Sequence, residues 1–193
     1  MNSKIAVIGK GNVGGALTRG LERWGHELRT IGKAAADVRS AGAWADVVVL
    51  AVPYPAIDAV VGELGDSVRG KVVVDVTNAL TAHFELAVGF TTSGAEELQK
   101  KLPAARVVKA FNTVFAEHMD TGHLNGTPLT ALAAGDDVAA KATVLDLARE
   151  IGFDAVDAGP LTNARWLEAL GYLNIQLGYM LKMGTQIGFT LVR

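Results

Sequence analysis

The chain has 193 residues and a formal net charge of −2, from 18 Lys and Arg against 20 Asp and Glu. Half of the residues are hydrophobic and 22 are glycine, so the chain is too apolar for a disordered protein and lacks the basic excess of a typical nucleic-acid binder. Because it contains no cysteine, a disulfide framework, a thiol nucleophile and a cysteine-ligated metal are excluded.

Short apolar runs alternate with helical patterns along most of the chain. The predicted strands are 4–9, 27–31, 47–52, 71–76, 106–111, 127–134 and 153–157. The predicted helices are 12–24, 37–45, 57–68, 93–102, a long helix capped by Asp136 and ending at Ile151, and a helical segment from Thr162 onward with a break near Met183 and Gly184. Strands joined by helices predict an α/β fold with a doubly wound, mostly parallel sheet of Rossmann type.

The first predicted strand runs into a glycine motif, Gly9-Lys10-Gly11-Asn12-Val13-Gly14. The spacing G-x-G-x-x-G between a buried-type strand and a helix is typical of dinucleotide binding. Gly9 would form the tight turn, Gly11 would let the backbone approach a pyrophosphate, and Gly14 would let the helix pack closely on the strand. The phosphates would then lie at the N-terminus of the helix.

The end of the second predicted strand bears on the choice of dinucleotide. An NAD-binding domain typically has Asp or Glu there, whereas this chain has Gly32 and Lys33. Lys33 could pair with a 2′-phosphate, so the sequence favours NADP(H) over NAD; the alternative is that Lys33 is an ordinary solvated lysine.

Further polar or turn-forming residues follow three other predicted strands. Val52 and Pro53 end one of them, and Asn78 and Asn112 follow two more. Because ligands bind at the carboxyl ends of strands in a doubly wound sheet, these residues could position a nicotinamide, a ribose or an acceptor ring. The alternative is that Asn78 and Asn112 only cap the segments that follow them.

Several segments together resemble the family of F420-dependent NADP oxidoreductases, its bacterial branch in particular. They comprise residues 5–14, 25–27, 47–53 and 71–75 with Asn78, the run Val108-Lys109-Ala110-Phe111-Asn112-Thr113, and the C-terminal residues 159–161, 164–165, 167–168 and 173–175. The chain is also similar to the cytosolic reductase domain of the STEAP metalloreductases. The resemblance covers nearly the whole chain, and the Lys-Ala-Phe-Asn-Thr run is its most discriminating part.

The resemblance implies NADP(H) bound along Lys10 to Val13, Gly32, Lys33, Val52, Pro53 and Asn78. It also implies hydride transfer between the nicotinamide and a deazaflavin, such as coenzyme F420, a flavin or a related ring near Asn112. Hydride transfer requires no acid or base, and the sequence suggests no catalytic residue and no metal site. The chain departs from the archaeal members at Gly32-Lys33-Ala34, where they carry Ser-Arg-Arg.

The sequence also supports expectations about organisation. We expect a single NAD(P)-binding domain over residues 1–193, acting in the cytoplasm on a small-molecule acceptor, without nucleic acid or membrane. Glycines at 171, 178, 184 and 188 predict close packing of the segment 162–193 on the domain or across a homodimer. A non-catalytic redox sensor that binds the same dinucleotide is the alternative function.

Replacing Lys33 with aspartate tests the predicted preference for NADP(H). Because a carboxylate would repel a 2′-phosphate and accept a hydrogen bond from a 2′-hydroxyl, we expect Lys33→Asp to weaken NADPH binding by about tenfold or more, equivalent to about 1.4 kcal/mol. NADH binding, measured in the same fluorescence titration, should fall far less. An equal loss for both nucleotides would contradict the assignment.

Overall fold

A computed structural model describes residues 2–32 and 34–193 of the chain. The strands are β1 (Lys4–Ile8), β2 (Glu27–Ile31), β3 (Val47–Leu50), β4 (Val72–Asp75), β5 (Arg106–Ala110), β6 (His123–Leu124), β7 (Thr127–Pro128), β8 (Thr130–Gly135) and β9 (Asp154–Asp157). The helices are α1 (Asn12–Glu22), α2 (Ala35–Trp44), α3 (Ile57–Leu64), α4 (Gly94–Lys101), α5 (Val138–Ile151) and α6 (Ala164–Ile175).

One seven-stranded sheet has the order β2-β1-β3-β4-β5-β8-β9. All neighbouring strands are parallel except β5 and β8, which run antiparallel. The chain leaves β1 toward β2 on one side and later returns to β3 on the other, so the carboxyl ends of β1 and β3 border the switch point where such sheets bind ligands. The predicted Rossmann-type α/β fold is confirmed.

Helices cover both faces of the sheet, which explains why its strands are apolar runs without alternation. The four residues Val47–Leu50 are all buried, because neighbouring side chains point to opposite and equally covered faces. One hydrophobic cluster joins the sheet to α1 and α5, and the other joins it to α2, α3 and α4.

Two predicted boundaries near β8 are wrong. The predicted strand 127–134 is divided into β7, which pairs with β6, and β8, which belongs to the main sheet. Pro128 has no N–H to donate, which suits the short hairpin better than a central strand. The cap of α5 is Asp137, whose Oδ1 accepts from the Ala140 N–H at 2.8 Å, whereas Asp136 Oδ1 accepts from the Leu161 N–H at 2.8 Å.

The helical segment predicted from Thr162 does break close to the predicted Met183 and Gly184, but the C-terminal segment (residues 181–193) is not helical, contrary to the prediction. A π-helical turn, Gln176–Met180, follows α6 and ends the helix. The C-terminal segment then returns to β8, where the Thr130 N–H donates to the Phe189 carbonyl at 3.0 Å and Thr130 Oγ1 accepts from the Leu191 N–H at 2.8 Å. These two long-range hydrogen bonds with Thr130 take the place of hydrogen bonds that a helix would have made within the C-terminal segment.

Candidate functional site

The glycine motif forms a turn in which backbone segments approach too closely for side chains. Gly9 has φ +126°, and a Cβ there would lie 2.1 Å from the Ala51 carbonyl oxygen just beyond β3. A Cβ on Gly14 would lie 2.0 Å from the Gly9 carbonyl oxygen. These two glycines therefore let β1, α1 and the end of β3 pack backbone against backbone. Gly11 differs, because a Cβ there would meet no atom within 4 Å.

The N-terminus of α1 opens toward a cavity of about 530 Å3. Gly11 is the N-cap and so offers no side chain to the first N–H groups, and the first turn contains no acidic residue. Lys10 and Arg19 line the cavity on this side, and Phe115 and Tyr179 line it on the other. The two aromatic rings pack edge to face with centroids 5.6 Å apart. The cavity thus offers N–H donors and cations beside an aromatic wall, a combination suited to an anionic ligand with a planar ring.

The ends of β2 and β3 form the neighbouring part of the same edge. The Gly9 N–H donates to the Ile31 carbonyl at 2.9 Å, and Gly32 follows with open space around its Cα. Lys33, the residue predicted to choose between dinucleotides, lies outside the described residues. Val52 is buried, whereas the exposed Pro53 borders a second cavity of about 590 Å3 between the N-terminus of α2 and α3.

Asn78 and Asn112, predicted from separate strand ends, lie against each other. Asn78 Nδ2 donates to the Asn112 carbonyl and Asn112 Nδ2 donates to Asn78 Oδ1, both at 3.2 Å. Asn112 Nδ2 also donates to the Leu167 carbonyl of α6 at 2.8 Å. Gly171 permits this contact, because a Cβ there would lie 2.5 Å from Asn78 Oδ1. The buried Asn112 side chain therefore links the end of β5 to α6, and Asn78 is the more exposed of the two.

The residue before Asn112 has an unusual backbone conformation. Phe111 has φ +66°, which is rare for a residue with a bulky side chain and costs free energy. Its buried ring packs on Phe153 with centroids 5.8 Å apart, which holds the conformation in place. Strained conformations of this kind occur most often at functional sites.

Beneath these asparagines lies a buried charged cluster that was not predicted from the sequence, formed by Asp75, Lys109 and Glu168 (the Lys109 cluster). Lys109 is 0% exposed, and its Nζ donates to Asp75 Oδ2 at 3.0 Å and to the Thr77 carbonyl at 2.6 Å. Nζ also lies 3.1 Å from Glu168 Oε1. The three N–H groups of the ammonium are thereby occupied.

Electrostatics within the Lys109 cluster keep the lysine charged. Burial disfavours the charge, but the carboxylates of Asp75 and Glu168 outweigh it and raise the pKa of Lys109 above its ordinary value. The second carboxylate leaves one excess negative charge. This excess charge is stabilised at Glu168, whose carboxylate accepts hydrogen bonds from the Gly94 and Ala95 N–H groups at 2.9 and 3.2 Å, at the N-terminus of α4. The feature of the sequence that could have indicated this cluster is Lys109, a charged residue within the buried part of β5, because a buried charge requires partners.

The candidate site residues predicted from the sequence therefore follow β1, β2, β3, β4 and β5 at one edge of the sheet, with Lys33 outside the described residues. Among those described residues, no group of three His, Asp or Glu side chains could hold a metal ion. The edge combines a backbone cradle for phosphate, a cation-bearing cavity and two joined amides. This combination at the carboxyl edge of a Rossmann-type fold is chemically suited to a dinucleotide.

Comparisons with known proteins identify the family. A family model described as NADP oxidoreductase coenzyme F420-dependent matches residues 4–79. The F420-dependent NADP reductase of Methanocaldococcus jannaschii is 33% identical over 184 residues, which cover 88% of this chain and 78% of that protein. A crystal structure of a candidate F420-dependent NADP reductase from Arthrobacter sp. FB24 superposes with a TM-score of 0.89 at 28% identity and covers 100% of both chains.

A second group of relatives shares only part of its length with this chain. Metalloreductase STEAP3 of Rattus norvegicus is 38% identical over 107 residues, which are 55% of this chain and 21% of STEAP3. No helix within residues 2–32 and 34–193 has the length and hydropathy needed to cross a membrane.

The chain belongs to the family of F420-dependent NADP oxidoreductases, because the relative from Methanocaldococcus jannaschii is 33% identical to it over most of both chains. The resemblance stated from the sequence is thereby confirmed. As a member of that family it is an NADP-dependent oxidoreductase, and the family model and the relative from Methanocaldococcus jannaschii are named for coenzyme F420 as well.

Alanine variants of Gly9 and Gly11 test whether the first glycine is required for packing of the turn and the second is not. Gly9→Ala places a methyl group against a backbone carbonyl at φ +126°, so we expect the free energy of unfolding to fall by about 3 kcal/mol or more. Gly11→Ala meets open space and should cost about 1 kcal/mol or less, as expected for alanine at an N-cap. Urea denaturation measures both values, and equal losses would contradict the described turn.

Proposed function

We propose that this chain binds NADP(H) along the carboxyl edge of the sheet and transfers a hydride between the nicotinamide and a deazaflavin, a flavin or a similar small acceptor. The carrying observation is the glycine turn at the switch point, with its open face at Gly11 and an uncapped α1 N-terminus. A single NADP-binding domain over residues 1–193 is part of the proposal.

The proposed path of the cofactor follows the order of the strands. The pyrophosphate lies on the N–H groups at the start of α1, with Lys10 as a cation beside it. The adenosine half extends toward β2 and contacts Gly32, Lys33, Val52 and Pro53. The nicotinamide half extends over the other side of β1, toward Asn78 and Asn112. The complete set of proposed contacts is Gly9, Lys10, Gly11, Asn12, Val13, Gly14, Gly32, Lys33, Val52, Pro53, Asn78 and Asn112.

Bound NADPH supplies the hydride, so the protein needs to bind, orient and exclude water rather than move a proton. The aromatic wall of the first cavity supports a planar acceptor, because Phe115 follows Asn112 by three residues and packs on Tyr179.

Binding and turnover of NADPH test this proposal and separate it from a redox sensor. We expect wild-type protein to bind NADPH, and Gly11→Ala to weaken binding by about tenfold because its methyl group occupies the phosphate face. Gly62→Ala is the matched control, since a Cβ there also meets no atom within 4 Å but lies on α3 away from the glycine turn. NADPH oxidation is then followed with F420, flavin mononucleotide and a quinone.

Three outcomes of that experiment are informative. Oxidation with one acceptor supports the reductase and identifies its partner. Tight NADPH binding without turnover on any acceptor supports the sensor instead. Failure of wild-type protein to bind NADPH contradicts the proposal.

We also propose that the chain forms a homodimer through α6 and the residues that follow it. Trp166 and Leu173 lie seven residues apart on α6 and are 60% and 49% exposed, and Met180, Leu181 and Met183 continue the apolar surface. Light scattering should give a mass near twice the 20.2 kDa of the chain. Trp166→Asp with Leu173→Asp should yield monomer, whereas Trp24→Asp, at a tryptophan that is 53% exposed elsewhere, should not. A wild-type monomer would contradict the dimer.

A further inference from the structure

The Lys109 cluster lies directly under the strand ends assigned to the nicotinamide half. Asp75 is the last residue of β4, and Lys109 is its register partner on β5. Asp75 Oδ1 accepts from the Thr77 N–H at 2.9 Å while Lys109 Nζ donates to the Thr77 carbonyl at 2.6 Å. Both backbone groups of Thr77 are therefore held by the cluster, and Asn78 is the next residue along the chain.

The same cluster reaches Asn112 by a second route. Glu168 follows Leu167 on α6, and the Leu167 carbonyl accepts from Asn112 Nδ2 at 2.8 Å. One turn of α6 thus contacts Lys109 through Glu168 and Asn112 through its backbone. Because Asn78 and Asn112 also bind each other, the ends of β4 and β5 are fixed as one unit.

Stability alone does not account for this arrangement. A buried ion pair contributes little net stability, since desolvation of the charges offsets their attraction, and apolar residues of similar size often do as well. An ammonium with three fixed acceptors does supply directional restraint, which an apolar side chain cannot. Here the restraint acts on the backbone of Thr77, immediately before Asn78, and Lys109 itself lies two residues before the strained Phe111.

We propose that Lys109, together with Asp75 and Glu168, is a positioning residue that orients the nicotinamide half of the bound dinucleotide by fixing Thr77 and, through it, Asn78. The buried Lys109 acts through its neighbours and does not itself touch the cofactor. This inference rests on the proposed function, because it assumes that NADP(H) lies along this edge.

The test compares two nucleotides that share everything except the nicotinamide. The variant Asp75→Asn with Lys109→Met removes both charges that hold Thr77 and leaves Glu168 on the α4 N–H groups. We expect it to weaken NADPH binding by about tenfold and 2′-phospho-ADP-ribose binding by about twofold or less. It should also shift the fluorescence of bound nicotinamide and, with an active acceptor, slow hydride transfer by up to about a hundredfold.

A matched control exists on the other side of the sheet. Lys141 Nζ contacts Asp157 Oδ1 at 2.7 Å and donates to the Gly159 carbonyl at 2.8 Å, so it also joins a carboxylate to a backbone oxygen. Asp157→Asn with Lys141→Met should leave the ratio of the two affinities unchanged. Asn78→Ala completes a double-mutant cycle, in which its effect and that of the cluster variant should be less than additive.

Each result decides the matter. If NADPH and 2′-phospho-ADP-ribose weaken equally, or neither changes, the cluster is a structural brace and the inference is overturned. If the double variant does not fold, Asp75→Asn with Lys109→Met and Glu168→Gln replaces it, because no buried charge then remains in the cluster. If wild-type protein binds 2′-phospho-ADP-ribose and NADPH equally poorly, the proposed function fails, and this is visible before any variant is made.

Discussion

The carboxyl edge of the sheet depends on the hydrogen bonds made by the buried ammonium of Lys109. A charge removed from water must be fully satisfied by its neighbours, so its acceptors cannot move independently. Those acceptors belong to β4, to the segment after β4 and to α6, and Glu168 extends the connection to α4. The satisfaction of one charge thereby sets the relative positions of four parts of the chain.

The glycine turn imposes a different constraint on the neighbouring strands. There the elements are held by the closeness of their backbones, because Gly9 and Gly14 allow β1, α1 and the end of β3 to approach within distances that exclude a side chain. One half of the edge is therefore defined by packing and the other by hydrogen-bonded charge. The first leaves the N-terminus of α1 without a side-chain cap, and the second holds the side chains of Asn78 and Asn112 against each other.

Much of the fold could be predicted because its determinants are local. Apolar runs such as Val47–Leu50, the glycine spacing and the start of the helix predicted at residue 93 each depend on a few neighbouring residues, and Ser93 Oγ accepts from the Glu96 N–H at 3.1 Å at that helix start. Asp136 and Asp137 are adjacent and chemically equivalent as caps, so only the path of the chain could decide between them. The helix predicted for the C-terminal segment is wrong because the spacing of its residues contains no information about the distant Thr130, with which that segment pairs.

The Lys109 cluster could not be predicted for the same physical reason. Its members are separated by 34 and 59 residues in sequence, and a lysine in a strand has no local feature that names its partners. The prediction that Asn78 and Asn112 contact a ligand rested on their places after strands and on the family resemblance, neither of which indicates that the two side chains bind each other. The hydrogen bond from Asn112 to the Leu167 carbonyl of α6 could not be predicted either, since a backbone acceptor has no signature in the side-chain pattern.

The glycines of the C-terminal part of the chain, predicted to allow close packing, make most of their close contacts within the domain. Gly171 lies against Asn78 and Asn112, Gly178 against the Phe115 ring, and Gly188 against Leu129, so close packing at these three positions occurs within the domain. Gly184 instead has φ +78° and open surroundings, and serves the turn into the C-terminal segment. Because Gly171 of α6 faces the asparagines and its large residues Trp166 and Leu173 are exposed, the face of α6 that contacts Asn78 and Asn112 is separate from the face proposed for a partner.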